Sequence, residues 1–162
     1  MGPLREDFAG QRQLRFRVDG TPLNLFKHKG QSTHQVYLRV LVYALYRAKY
    51  PSLEIEPKLQ FKYSPCVASL DLTGEVEFWA QCGAVPLEQV AYVLKHTQAN
   101  EVVLASEDLD VDLDKQVAAL RRHIHYRYTT GRLRVLLFRP LEEWFDPERV
   151  EVDSDHYQLY EF

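Results

Sequence analysis

The chain has 162 residues, of which 46% are hydrophobic and 12% aromatic, which suits one well-packed domain and is too short for two. Its formal net charge of −3 argues against a protein that binds nucleic-acid phosphates over its whole surface, since such binding depends on clustered lysine and arginine. No apolar run approaches the roughly 18 residues that cross a membrane, and the segment around Arg5 lacks the apolar stretch of a signal peptide. We therefore expect a single cytoplasmic domain over residues 1–162, without a membrane partner.

The cysteine content is low, with Cys66 and Cys82 alone and no Cys-x-x-Cys spacing. Such a pair favours neither a disulfide framework nor a structural zinc site in a chain without a secretion signal. We expect two reduced, half-buried thiols.

The N-terminal segment predicts a β-hairpin followed by a long helix. Residues 13–18 and 22–26 alternate apolar and polar side chains on either side of an Asp-Gly turn. A helix then begins at Ser32 or Thr33 as N-cap and extends to about Lys49, before a proline. The following apolar alternation over residues 53–63 contains a proline, so we predict a broken or edge strand there.

The central stretch, residues 69–83, predicts two strands joined by a tight turn at Gly74. Because side chains alternate along a strand, the second strand should have one face in the core and one for chemistry or solvent. The first face carries Val76, Phe78, Ala80 and Cys82, and the second carries Glu75, Glu77, Trp79 and Gln81.

The remaining elements predict a mixed α/β fold. A helix starts at Pro86 and leads to a buried strand over residues 101–106, which a right-handed crossover places parallel to the second hairpin strand. A helix from about Asp112, a strand over residues 133–138 and an acidic tail follow. We therefore expect a mixed central sheet flanked by helices, with an N-terminal β-hairpin.

Charged residues are clustered in the last third of the chain. Four alternating aspartates in residues 108–114 lack the glycine and glutamate of a calcium loop, so we assign them to capping the helix at Asp112. Residues 121–139 contain six arginines, two histidines and no acid. This run indicates either a local basic face beginning at Arg121 and Arg122 or an ordinary solvated surface.

Several of these segments resemble one known family. The matching pieces are His28 with Gln31 to Thr33, Leu38 to Leu45, Asp71 to Gly74 and Phe78 to Gly83. Together they resemble the YaeQ family, whose fold is similar to the restriction-endonuclease-like PD-(D/E)XK nucleases. The resemblance covers residues 12–106 and implies a mixed sheet flanked by helices, in agreement with the element order.

The resemblance also implies a metal site. Nucleases of this type use an aspartate and a glutamate on adjacent strands to hold Mg²⁺, with a lysine near the attacking water. Asp71 matches the family aspartate, whereas Gln81 and Gln31 stand where relatives have glutamates. A basic helper would come from the next helix, where Lys95 is the candidate.

Three functions remain open from these residues. In the first, which we favour, hydrolysis is lost and a nucleic-acid- or protein-binding pocket is lined by Gln31, Asp71 and Gln81. In the second, Glu75 or Glu77 joins Asp71 in holding Mg²⁺ weakly for phosphodiester cleavage. The third is a scaffold whose aromatic tail, Trp144-Phe145 and Tyr157 to Phe162, docks on a partner or on a second copy of the chain.

The binding hypothesis includes four further residues. His34 and Trp79 are pocket candidates, with a surface histidine and a core tryptophan as the alternatives. Arg121 and Arg122 would contact phosphates. The sequence does not decide between DNA and RNA, and the oligomeric state is open.

Overall fold

The computed structural model describes residues 12–108 and 112–162. The segment around Arg5 and one of the four alternating aspartates, Asp110, lie outside the described residues. The helices are α1 (Thr33–Tyr46), α2 (Leu87–His96) and α3 (Leu113–His123), and the strands are β1 (Arg12–Val18), β2 (Thr21–Lys27), β3 (Glu54–Ile55), β4 (Val67–Leu70), β5 (Val76–Cys82), β6 (Glu101–Glu107), β7 (Leu133–Phe138) and β8 (Tyr157–Glu161).

The strands form two sheets. β1 and β2 pair as an antiparallel hairpin, and the other six strands form one sheet in the order β3-β4-β5-β6-β7-β8. β5 pairs parallel to β6, and β6 pairs parallel to β7, while the outer pairings are antiparallel. The predicted mixed sheet with flanking helices and an N-terminal hairpin is confirmed.

Local sequence signals account for the ends of several elements. Asp19 and Gly20 both have positive φ, 48° and 80°, which matches the twist of a two-residue hairpin turn. Ser32 caps α1, and its capping box is completed by Gln35. Asp112 caps α3 by accepting from the Lys115 N–H at 3.1 Å, as the sequence predicted.

Both faces of the six-stranded sheet are covered. Phe78 and Ala80 of β5 belong to a core that α1 and the β1–β2 hairpin complete. Trp79 belongs to a second core formed with α2 and α3, and Gln81 is buried as well. The prediction that this second face is open for chemistry or solvent is therefore wrong for Trp79 and Gln81, because helices pack on both sides. Glu75 is exposed and Glu77 is half-buried near the start of the strand.

The predicted strand over residues 53–63 is present only as the two-residue edge strand β3. Glu56 follows it with φ at 50°, and Pro57 then lacks the N–H that pairing needs. These two backbone features end the strand. α1 ends at Tyr46 rather than near Lys49.

The two cysteines form a disulfide, so the prediction of free thiols is wrong. Next to the pairing of β4 with β5, the Cys66 N–H donates to the Ala80 carbonyl oxygen at 2.9 Å. The Cα atoms of Cys66 and Cys82 are consequently 6.1 Å apart. This separation lies within disulfide geometry. Such bonds are uncommon in the cytosol, so the cytoplasmic location stays a prediction. No helix in residues 12–108 or 112–162 is long and apolar enough to cross a membrane.

We expect Cys66→Ser to lower the free energy of unfolding by about 2–4 kcal/mol, because the bond closes a loop between cysteines 16 residues apart. Urea denaturation measures the change. Reduction of the wild type should have a similar effect, whereas reductant should not alter the Cys66→Ser variant. Equal stability of reduced and oxidised wild type would contradict the disulfide.

Candidate functional site

The predicted site residues are distributed over two opposite edges of the sheet. The carboxyl edge is the side where β5, β6 and β7 end, and the amino edge is the side where they begin. α1 runs from the carboxyl edge to the amino edge. Near its start, the Gln35 side chain lies beside Gly83, which directly follows β5. After its end, the Tyr50 hydroxyl donates to Glu101 at the start of β6.

Asp71 lies at the amino edge, in the turn between β4 and β5. Its Oδ1 atom accepts hydrogen bonds from the Thr73 N–H at 2.8 Å, the Thr73 hydroxyl at 2.6 Å and the Glu75 N–H at 3.0 Å. The hydroxyl bond, followed by the backbone bonds, holds the pKa of the Asp71 carboxyl below its ordinary value of 3.8. The carboxylate therefore stabilises the turn.

Gln81 lies at the other end of the same strand. The Asp71 N–H bonds to the Glu75 carbonyl oxygen, and the six residue steps from Glu75 to Gln81 correspond to about 20 Å of strand. The Gln81 side chain is buried, and its Nε2 atom has no hydrogen-bond partner among the residues that the structure describes. The hairpin does not bring Asp71 and Gln81 into one site.

The other catalytic candidates do not complete a metal site. The Oε1 atom of Glu77 accepts from the Ser69 hydroxyl at 2.6 Å, while Glu75 is exposed. Lys95 is exposed in the last turn of α2, which begins after the carboxyl end of β5 and runs back towards the amino edge. Across residues 12–108 and 112–162, no group of three or more His, Cys, Asp or Glu side chains could hold a metal ion.

A polar cluster at the carboxyl edge centres on Glu56. Its carboxylate lies 2.6 Å from Arg39 Nη1, 3.4 Å from Gln31 Nε2 and 3.8 Å from His28 Nε2. Burial lowers the pKa of the Arg39 guanidinium, and the charge on Glu56 opposes this shift. The left-handed backbone at Glu56 is costly for a residue with a Cβ atom, and such strain is often found at functional sites.

The sequence predicted Gln31 as a site residue but missed Glu56 and Arg39. Arg39 lies on α1, and Glu56 follows the edge strand β3, 17 positions further along the chain. No sequence motif connects the two. The available signal was Pro57, which marks the broken strand. The contact itself depends on how α1 packs on β3 and β4.

His34 forms a second polar pair at the carboxyl edge. Its Nδ1 atom lies 2.5 Å from Oε1 of the largely buried Glu107, whose other oxygen accepts from the Leu141 N–H at 3.3 Å. The carboxylate orients the imidazole and ties α1 to β6. Trp79 is fully buried against Phe61, so its indole is a core side chain and not an exposed stacking platform.

The predicted basic run is divided between structure and surface. Arg132 donates to backbone carbonyl oxygens, including those of Leu94 at 2.9 Å and Ala99 at 2.8 Å, and burial lowers its pKa. Arg134 and Arg139 pair with acids. These three arginines are used within the fold.

Residues 121–128 form what we call the basic–aromatic surface. Arg121 and Arg122 are exposed in the last turn of α3. In the 3₁₀ turn that follows, Tyr126 is 63% exposed, with its ring centroid 4.3 Å from that of His125. The Arg127 guanidinium lies over the Tyr128 ring at 4.7 Å. The surface thus presents arginines beside aromatic rings.

Two solved structures share this architecture. The YaeQ protein from Xanthomonas axonopodis pv. citri matches with a TM-score of 0.63 at 18% sequence identity, over 94% of this chain and 91% of that chain. This chain has the YaeQ fold. The YaeQ protein from Pseudomonas syringae matches with a TM-score of 0.58 at 10% identity, over 85% of this chain and 80% of that chain. No family model and no curated protein matches the sequence.

These comparisons confirm the predicted YaeQ resemblance at the level of the fold. The match to the Xanthomonas protein covers 94% of the chain, so the YaeQ fold continues beyond Ser106, where the sequence resemblance fades. At such low identities the comparison establishes the fold alone, and the site has to be judged from the side chains of this chain.

We expect Glu56→Gly to be more stable than Glu56→Ala by about 1 kcal/mol, since glycine adopts the left-handed backbone at this position without steric cost. Both variants remove the carboxylate, so their difference isolates the backbone. Urea denaturation measures it. An alanine variant as stable as the glycine variant would show that residue 56 leaves this conformation in solution.

We expect Asp71→Ala to leave a calorimetric titration with Mg²⁺ unchanged, because the Asp71 carboxylate caps a turn and, within residues 12–108 and 112–162, belongs to no group of three or more possible metal ligands. Asp146→Ala is the matched control, since Asp146 also accepts a backbone N–H, that of Glu148, in an exposed turn. Wild-type heat that disappears only in Asp71→Ala would restore the metal hypothesis.

Proposed function

We propose that this chain is a non-catalytic module with the YaeQ fold that binds single-stranded nucleic acid on its basic–aromatic surface. The observation that carries the proposal is the exposure of Tyr126, which follows the exposed arginines of α3 and precedes Arg127 in the chain. Exposed rings stack on bases, and arginines neutralise the phosphates that connect them. A single strand presents both groups to one surface.

The charge distribution supports the same function. The chain as a whole is acidic, but residues 121–139 contain no carboxylate, and Arg121, Arg122 and Arg127 are exposed within this segment. A phosphate chain would meet several cations here with no acid between them in the sequence. Local basic charge of this kind raises both affinity and association rate at low salt.

Metal-dependent hydrolysis receives less support. The residues that stand at the implied Mg²⁺ positions do not fit the ion, because Asp71 and Gln81 lie at opposite ends of β5 and amide side chains replace two family carboxylates. Mg²⁺ requires closely placed oxygen ligands. We therefore derive no reaction step for this chain.

A scaffold function through the aromatic tail is also less favoured. The Phe145 ring lies 4.4 Å from that of Tyr37, and the Trp144 ring stacks on His156 at 4.0 Å. β8 continues the central sheet beside β7. These tail side chains pack on the chain's own elements.

We expect Arg121→Ala/Arg122→Ala to weaken binding to a single-stranded oligonucleotide, because two phosphate contacts are lost. The slope of log K against log salt should become shallower by about 1.4, as expected for two contacts on a single strand. Fluorescence anisotropy over a salt series measures this slope.

The matched control is Arg139→Ala/Arg149→Ala, which removes two arginines that pair with Glu143 and Glu151 outside the basic–aromatic surface. It should leave the slope unchanged. Tyr126→Ala should weaken binding by about 1–3 kcal/mol through lost stacking, and Tyr126→Phe should retain it. Equal effects of the two double variants would contradict the assigned surface.

A further inference from the structure

A cavity of about 630 Å³ opens at the amino edge of the sheet. Its wall includes Lys49 and Tyr50 after α1, Asn100 and Glu101 at the start of β6, and Arg134 on β7. We call it the amino-edge cavity. Its volume falls in the range that accommodates a small organic ligand, and its lining is polar.

The floor of the cavity is a buried carboxylate. Only 5% of the Glu101 side chain is exposed. Its Oε1 atom accepts from the Tyr50 hydroxyl at 2.5 Å and pairs with the Lys49 ammonium, while Oε2 lies 3.6 Å from Arg134 Nε. Burial and the hydrogen bond to Glu101 raise the pKa of Tyr50. A buried ion pair contributes little net stability, so this group of charges invites a functional explanation.

Lys49 differs from the other partners of Glu101. Its side chain is 60% exposed, whereas that of Arg134 is 19% exposed. The Lys49 ammonium can therefore leave the carboxylate for another anion at the mouth of the cavity. Arg134 and Tyr50 would remain in place and keep the buried charge compensated.

One arginine connects the wall of the amino-edge cavity to the backbone at the end of the basic–aromatic surface. The Arg132 guanidinium donates to the carbonyl oxygen of Tyr128 at 3.0 Å and to that of Ala99 at 2.8 Å, and both Arg132 and Ala99 line the cavity. This arginine fastens the end of the basic–aromatic surface to the cavity wall. A strand bound on that surface would therefore have the cavity wall within reach through the Tyr128–Arg132 connection.

We propose that the amino-edge cavity takes one unstacked nucleobase from the bound single strand, with Glu101 accepting from the base's exocyclic amino group and Lys49 moving to the adjacent phosphate. The proposal rests on the proposed function and adds a base preference to it. Carboxylates accept from the amino group of cytosine, which thymine lacks. Cytosine should therefore be preferred to thymine.

The test compares oligodeoxycytidylate with oligothymidylate of equal length by fluorescence anisotropy. Wild type should bind the cytosine strand about tenfold more tightly, the size of one good base contact. Glu101→Gln should lose most of this preference, since a neutral acceptor forms a weaker hydrogen bond, while its salt dependence stays that of wild type. Lys49→Ala should retain the preference and make the salt slope shallower by about 0.7 for both strands.

Competition of bound oligodeoxycytidylate by deoxycytidine and thymidine monophosphates on wild type provides a measurement that does not depend on whether Glu101→Gln folds. Stronger competition by the cytidine nucleotide supports the proposal. Equal competition, equal affinity for both strands, or an unchanged preference in folded Glu101→Gln overturns it. If strands bind equally but depend on Arg121 and Arg122, the cavity proposal alone fails; if neither strand binds, the proposed function fails with it.

Discussion

The parallel pairing of β5, β6 and β7 determines which side chains of this protein can meet. Because these strands run in one direction and α1 runs antiparallel to them, the polar side chains at the strand ends lie either at the carboxyl edge or at the amino edge. Asp71 and Gln81 belong to the same hairpin, yet the length of β5 separates them. A catalytic centre built from both would need a strand shorter than the one that the core requires.

Each edge has a polar cluster centred on one carboxylate, whose side chain is 35% exposed at Glu56 and 5% exposed at Glu101. Glu56 holds Arg39 and Gln31 beside the Cys66–Cys82 disulfide, and Glu101 holds Lys49 and Tyr50 at the opposite side. Charges taken out of water are costly unless their partners are well placed, so each cluster requires the surrounding backbone to be rigid. The disulfide and the left-handed residue at position 56 supply part of that rigidity at the carboxyl edge.

The arginine run shows how one stretch of sequence serves two purposes. Arg132 is used to cap backbone carbonyls between α2 and the turn before β7, whereas Arg121 and Arg122 extend into solvent. The same structural arginine that joins these loops also brings the exposed basic surface next to the amino-edge cavity. A single guanidinium group thus holds together the end of α2, the segment before β6 and the turn before β7.

The sequence by itself determined the local elements: the Asp-Gly hairpin turn, the capped start of α1 at Ser32, the Asp112 cap and the parallel crossover from β5 to β6 follow from short-range signals and standard handedness. It also predicted the YaeQ fold. Only the tertiary structure decided that the cysteines are bonded, that Trp79 is buried on a covered face, and that Glu56 and Glu101 are the centres of polar clusters. These outcomes depend on strand register and on helix packing between residues far apart in the chain, and neither periodicity nor motif spacing encodes such distances.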